Sequence, residues 1–202
     1  MKAYALLLAA AAALALAGCQ SVPPKAPPPL TATQFKAQPP VPVAPPPRVA
    51  TAGPLATAGA GRYMDALERD LRLRLRGSAI VVARRGDDML VTLPNARLFV
   101  GEAIGPAGQS LLGNVALVLR RYDHTQLQVN GYTDTVGSVE QNLTVSLKRA
   151  GLVGEALARY GVAVARIEVH GFGEAYLKIV TQDQVAEPRN RRIELRIVPR
   201  PE

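Results

Sequence analysis

Residues 131–150 read Gly131-Tyr132-Thr133-Asp134-Thr135-Val136-Gly137-Ser138-Val139-Glu140-Gln141-Asn142-Leu143-Thr144-Val145-Ser146-Leu147-Lys148-Arg149-Ala150. Just before this run, Thr125–Gly131 alternates. Leu127 and Val129 share one face, and Gln126, Gln128 and Asn130 the other, as in a half-buried strand. After it, apolar residues recur at Leu143, Leu147, Ala150, Val153 and Leu157, predicting a helix from about Glu140 to Tyr160 that Gly161 stops. The loop between them, bounded by glycines, carries Asp134, and Arg149 follows on the helix. Asn142, Val145 and Arg149 fall within one sector of a 3.6-residue helix, while Leu143, Leu147 and Ala150 point toward the sheet. Helix N-termini present free N–H groups that favour anions. Asp134 and Arg149 are therefore expected to grip a small zwitterion, the aspartate with Asn142 taking an ammonium, the arginine and amide donors a carboxylate. Empty, the two are expected to pair and keep each other ionised.

Working outward, Tyr63, Met64, Leu67, Leu71 and Leu75 stand at helical spacing among charges, and Gly77 ends that pattern. Ala79–Ala83 and Met89–Leu93 are strand-like runs, and Arg84–Asp88 between them is a hairpin signal. Leu111, Leu112, Val115, Val118, Leu119 and Tyr122 predict a helix over Pro106–Tyr122, and Arg166–His170 and Ile193–Val198 are the remaining strands. This order predicts an α/β sandwich, a small mixed sheet with two main helices packed on one face. Strand order within the sheet does not follow from the pattern.

The chain's first residues have a different character. Lys2 precedes an Ala/Leu stretch from Ala5 to Ala17, which ends in Leu16-Ala17-Gly18-Cys19. A charged start, a short apolar stretch and small residues at the end is the layout of a signal peptide. It is shorter than the roughly 20 residues a spanning helix needs. Leu-Ala-Gly-Cys resembles the bacterial lipobox, which implies cleavage before Cys19 and its acylation (palmitate-type chains). Cys19 is the only cysteine, so an intramolecular disulfide is impossible. Two or more acyl chains, at about 0.8 kcal/mol per buried methylene, give stable anchoring. Gln20 stands where an inner-membrane lipoprotein often carries Asp, so by that resemblance the destination is the outer membrane, with the domain facing the periplasm. Twelve of seventeen prolines lie between Pro23 and Pro54. Such a segment favours polyproline II at about 3.1 Å per residue, and forty residues reach on the order of 100 Å. The organisation expected is a leader over 1–18 and a lipidated linker over 19–60. A lead-in helix and hairpin over 61–88 and the main domain over 89–202 follow. The net charge of +8 is scattered and without interleaved aromatics, which argues against a nucleic-acid partner.

The central run closely resembles the motif of the OmpA-like peptidoglycan-binding domain, G-[HY]-T-D-x-x-G-x-x-x-x-N-x-x-L-S-x-x-R-A. Gly131, Tyr132, Thr133, Asp134, Gly137, Asn142, Ser146, Arg149 and Ala150 are in register, and only Val145 replaces a leucine. Gly161-Val162, Arg166-Ile167, Gly171-Phe172-Gly173-Glu174 and Asn190-Arg191-Arg192-Ile193-Glu194 match further family blocks, so the resemblance covers about residues 89–198. It implies an OmpA C-terminal-like fold and, as ligand, the side chain of meso-diaminopimelate in the stem peptide of peptidoglycan. Asp134, Arg149, Asn142, Thr133 and Val145 are the binding set it implies. The glycines are read as turn formers, and Asn190, Arg191 and Arg192 either as a cap on the site or as buttresses of the loop through Glu174, with the structural role preferred. This chain departs from the family at Val100, where an acid often follows the early phenylalanine (Phe99), at Leu177, which replaces a proline, and along Lys178–Pro188.

The function implied is that of an outer-membrane lipoprotein tethering the membrane to the wall, with peptidoglycan as partner and no cofactor or metal. An enzyme is the first rival. A zinc site needs clustered ligands, yet His124 and His170 lie in unrelated segments, and nothing singles out Glu140, Glu155 or Glu174 as a catalytic acid. An ion-driven stator subunit would need a retained membrane helix with an ionisable group. A scaffold lipoprotein whose domain mainly docks envelope proteins is the alternative that the sequence leaves open.

Overall fold

The computed structural model describes residues 54–200, so the leader, Cys19 and the linker up to residue 53 lie outside the described residues. The described residues fall in one compact unit, Pro42–Glu202. Helix α1 (Pro54–Arg74) leads into strands β1 (Val81–Arg85) and β2 (Asp88–Pro94). A short helix α2 (Asn95–Leu98) and a two-residue ladder, β3 (Phe99–Val100) with β4 (Ala103–Ile104), come next. Helix α3 (Pro106–Arg121), strand β5 (Thr125–Tyr132), helix α4 (Val139–Arg159), strand β6 (Ile167–Gly171) and strand β7 (Arg192–Pro199) complete the chain.

Five strands form one mixed sheet in the order β1-β2-β7-β5-β6. β5 and β6 are parallel and the other neighbours antiparallel. A parallel pair needs a crossover connection, and α4 supplies it. The last strand enters the middle of the sheet, which no periodicity announces.

Helices α1 and α3 bury the stripes their spacing predicts, and α4 does so over Ala150, Val153 and Leu157. Met64, Leu67 and Leu71 of α1, with Leu75 just after it, join Leu112, Val115 and Leu119 of α3 and Ala150, Val153 and Leu157 of α4 in one core. Under them lie Met89, Val91, Leu127, Val129, Ile193 and Leu195. Fully burying a side chain of this size contributes about 1.5–3 kcal/mol. The lead-in helix α1 thus joins the two main helices, α3 and α4, on one face. Helix α1 is tied down by polar contacts as well: Tyr122 donates to Asp70 at 2.8 Å, and the Tyr63 hydroxyl accepts from the His124 amide at 3.1 Å. It also begins at Pro54, inside the segment expected to be linker. Proline suits the first helical position because its φ is preset and its missing N–H would have no partner there.

The hairpin of β1 and β2 continues into the main sheet, because β2 pairs with β7 from Met89↔Ile197 to Pro94↔Arg192. Pairing therefore shows no break between residues 88 and 89. Arg166 closes the lower edge. Buried, it donates to the carbonyls of Leu119, Tyr122 and Thr125 and to the Thr125 hydroxyl. Four of its five guanidinium N–H donors are in use.

Candidate functional site

Most of the central run turns out to be the bed on which α4 lies. Gly131 and Gly171 face each other in the parallel register of β5 and β6. A Cβ on Gly131 would stand 2.2 Å from the Ser146 carbonyl oxygen, and one on Gly171 2.5 Å from the Leu147 amide nitrogen. These two are close-approach positions, not turns. The helix backbone sits almost on the strands, so the small Ser146 and Ala150 occupy the contact, while Leu143 and Leu147 are displaced to its flank and only partly buried. Ser146 uses the proximity: its hydroxyl accepts from the Gly173 amide at 2.9 Å. Gly173 itself is at φ +55°, a turn glycine as expected.

The loop after β5 is fixed from both sides. Ser138 caps α4 by accepting from the Gln141 amide, and the Gln141 side chain accepts from the Ser138 amide, each at 3.2 Å. This capping box occupies two of the donors expected to face an anion. Asn142 is buried and its amide donates to the Asp134 carbonyl at 3.3 Å and to Glu174 at 2.7 Å. It joins the Asp134 loop to the Gly171–Glu174 turn. From the other side comes the 177–190 segment. Thr135 donates to the Gln182 carbonyl at 2.7 Å and accepts from the Val185 amide at 3.1 Å. The Gln184 side chain bonds both the amide and the carbonyl of Gly137.

Asp134 is 4% exposed. Its Oδ2 accepts from the Glu187 amide at 3.2 Å and forms an ion pair with Arg191 Nη1 at 3.3 Å. Its Oδ1 has no partner among the described residues. The expected resting pair of Asp134 with Arg149 is therefore replaced by Asp134 with Arg191. Strand alternation explains which arginine arrives. Successive side chains entering β7 point to opposite faces, so Arg191 goes to the helix side while Arg192 lies 3.9 Å over the Tyr132 ring on the other. Asn190 holds both the amide and the carbonyl of Ile179, and Arg192 bonds Glu194 and the Tyr176 carbonyl. Those two are buttresses as read, but not through Glu174, whose partner is Asn142. Arg191 belongs to the site.

Arg149 contrasts with Arg166. It is partly buried, yet it has no ion-pair or hydrogen-bond partner among the described residues. Its guanidinium lies 5.9 Å from the centre of the Phe99 ring, within cation–π range. Burial is the main influence pushing its pKa down, and the Arg191 charge adds to that. Asp134 and Glu102 act in the opposite sense. Glu102 is itself paired with Lys148 at 2.7 Å, which lowers its pKa. An acid thus stands near the rim although Val100, 72% exposed, has replaced the family's usual one. Buried charges are normally paired. A half-buried cation without an acceptor, within electrostatic reach of a carboxylate with one free oxygen, is an arrangement that a zwitterion completes.

The remaining candidates separate. Thr133 is buried with its hydroxyl unpartnered, and its amide donates to the Gly173 carbonyl at 2.8 Å. Val145 is 36% exposed. Cys19 lies outside the described residues. Glu187, Gln184 and Thr135 were not singled out by sequence, because their contacts span about fifty residues and follow no period. Among the described residues no group of three or more His, Cys, Asp or Glu side chains is placed to hold a metal ion. No helix among them is long and apolar enough to cross a membrane.

Residues 101–191 match the OmpA family. The chain is 36% identical over 143 residues to the "Probable lipoprotein YiaD" of Escherichia coli K12, covering 70% of this chain and 65% of that protein. It is 32% identical over 95 residues to the "Peptidoglycan-binding protein ArfA" of Mycobacterium tuberculosis, covering 47% of this chain and 29% of that one. The chain thus spans less than two thirds of the length of these relatives. Among solved structures, the cell wall anchor of the T6SS from Pseudomonas aeruginosa superposes with a TM-score of 0.55 at 25% identity, covering 66% of this chain and 96% of that one. These names are those of envelope and wall-binding proteins, and none is an enzyme's.

Proposed function

We propose, from the match of residues 101–191 to the OmpA family, that this protein binds peptidoglycan non-covalently through the diaminopimelate side chain of the stem peptide. The ligand ammonium meets Asp134 Oδ1, the acceptor that the internal contacts leave free. The ligand carboxylate meets Arg149. The observation that carries this reading is the lone guanidinium. Gly131, Asn142, Ser146 and Ala150 of the central run have internal structural roles, whereas Arg149 has only the Phe99 ring among the described residues.

Asp134 does not have to reorganise to act. Arg191 and the Glu187 amide hold its Oδ2, which orients Oδ1 before the ligand arrives and lowers the entropic cost of binding. Asn142, whose Nδ2 holds the Asp134 carbonyl and Glu174, positions the loop. Thr133 and Val145 are secondary, one buried and one exposed. Acylation at Cys19 and attachment to the outer membrane complete the proposal, making the protein a tether between membrane and wall. Support for that part comes from Leu16-Ala17-Gly18-Cys19 and from the lipoprotein relative.

Co-sedimentation with purified sacculi tests the binding claim. The wild type is expected in the pellet, and Asp134→Ala and Arg149→Ala in the supernatant. Removing one partner of a desolvated, hydrogen-bonded charge pair costs about 2–5 kcal/mol. Pelleting of both variants as complete as that of the wild type would make these residues structural. Mass spectrometry of the membrane-extracted protein tests the anchor: an acylated Cys19 at the N-terminus is expected, and a retained Met1 without lipid would contradict it.

A further inference from the structure

We propose that the sheet face turned away from the helices carries, at its Tyr132–Tyr176 end, a subsite for a pyranose ring of a glycan chain. This rests on the peptidoglycan reading, which supplies a ligand whose stem peptides hang from such a chain.

Most of that face is a lattice of charges and amides. Gln126 and Gln128 donate to Glu168, and Arg196 bonds Asp88 and Gln128. At one end the character changes. The Tyr132 and Phe172 rings stack at 5.3 Å, Tyr176 meets Phe172 edge-on at 5.7 Å, and His170 lies 6.2 Å from Phe172. Of the chain's six tyrosines and three phenylalanines, three meet at this corner, with Tyr132 buried, Phe172 half-buried and Tyr176 exposed at the surface.

Two observations argue that the corner is built for a ligand. Tyr176 is 50% exposed and sits at φ +64°, in the left-handed region that bulky side chains rarely adopt. Such strain persists only where surrounding structure enforces it, and it clusters at binding sites. Here the enforcement is visible: Arg192 Nη2 donates to the Tyr176 carbonyl at 3.1 Å while its guanidinium is anchored over Tyr132. The second observation is Asn130, on the same face and paired in register with His170. Its Oδ1 is buried and has no hydrogen-bond partner, a state native structures rarely leave unexplained.

A pyranose suits these groups. Its C–H face packs on an aromatic ring, and its hydroxyls are donors for an unpartnered amide oxygen and an imidazole. The corner also adjoins the stem-peptide site. Glu174, two residues before Tyr176, accepts from Asn142, which in turn holds the Asp134 carbonyl. A peptide seated at Asp134 therefore delivers its sugar to the same turn.

The test is calorimetric titration of the full chain with two ligands, a diaminopimelate-containing stem tripeptide and the same tripeptide on its disaccharide. The wild type is expected to bind the sugar-bearing ligand roughly three- to tenfold more tightly. Tyr176→Gly is chosen because glycine accepts φ +64° without strain. It is expected to remove that advantage and leave tripeptide affinity unchanged. Equal affinity of the wild type for both ligands, or a persisting advantage in Tyr176→Gly, would overturn the proposal. Should the tripeptide not bind at all, the stem-peptide reading fails on its own. Peptide-free glycan strands then decide the sugar subsite: retention by the wild type and loss in Tyr176→Gly uphold it, and no retention ends it.

Discussion

Arg191 stands 3.3 Å from Asp134 on the side opposite the free oxygen Oδ1, and occupies the place that spacing alone gives to Arg149. The aspartate is thereby oriented by one arginine, while another arginine of the same site has no anion among the described residues. Dividing the two tasks between two residues resolves a conflict. A guanidinium already paired with Asp134 would have to leave it before taking a ligand carboxylate.

This division separates stability from binding. Arg149→Gln is expected to change unfolding free energy by no more than about 0.5 kcal/mol, as for a side chain without internal hydrogen bonds. Arg191→Gln leaves the buried Asp134 carboxylate short of a partner and is expected to cost about 1–3 kcal/mol. Urea denaturation of both variants checks the order. Equal losses would mean that Arg149 carries a structural contact after all.

Close approach of α4 to the sheet makes the paired glycines intolerant. Gly131→Ala and Gly171→Ala place a Cβ 2.2 and 2.5 Å from helix backbone atoms, which cannot give way as a side chain does. Each is expected to destabilise by about 1–3 kcal/mol or more. Gly151→Ala, with open space around its Cβ, is the control and is expected to be neutral or stabilising, since alanine is the better helix former.

What the sequence made legible follows from periodicity. The stripes of α1 and α3, and the alternation of Leu127 and Val129 against Gln126 and Gln128, are local patterns, and the structure repeats them. The α4 stripe was misread toward Leu143 and Leu147 because the depth of a helix on a sheet depends on two strand glycines distant in sequence. Asp134 and Arg149 are proposed as the site from the motif, and their expected resting pair is replaced by Asp134 with Arg191. Arg191 was not separated from Arg192, although the alternation of a strand would have sent the two to opposite faces. The embrace of Asp134 and Gly137 by Gln184 and Glu187 is irregular backbone meeting irregular backbone, and no period records it.

That embrace has an acid limit. Arg189 holds Glu187 ionised by side-chain and backbone hydrogen bonds, bringing its pKa from 4.5 to about 2. With the folded value below the unfolded one, its contribution is fully present above about 4.5, declines below that, and is lost as pH falls through about 2. Glu187→Gln is therefore expected to be less stable than the wild type from neutral pH down to about 4.5, and the two should converge toward pH 2. A stability difference independent of pH across that range would show that this carboxylate does not latch the segment.

The central claim is that Arg149 reads the terminal carboxylate of diaminopimelate. It is tested most directly by titrating wild type and Arg149→Ala with two stem tripeptides, one carrying meso-diaminopimelate and one carrying lysine, which keeps the ammonium and lacks that carboxylate. The wild type is expected to prefer the diaminopimelate peptide by at least about tenfold, the equivalent of about 1.4 kcal/mol, and Arg149→Ala to bind both equally weakly. Equal binding of the two peptides by the wild type, or an undiminished preference in Arg149→Ala, would contradict the account.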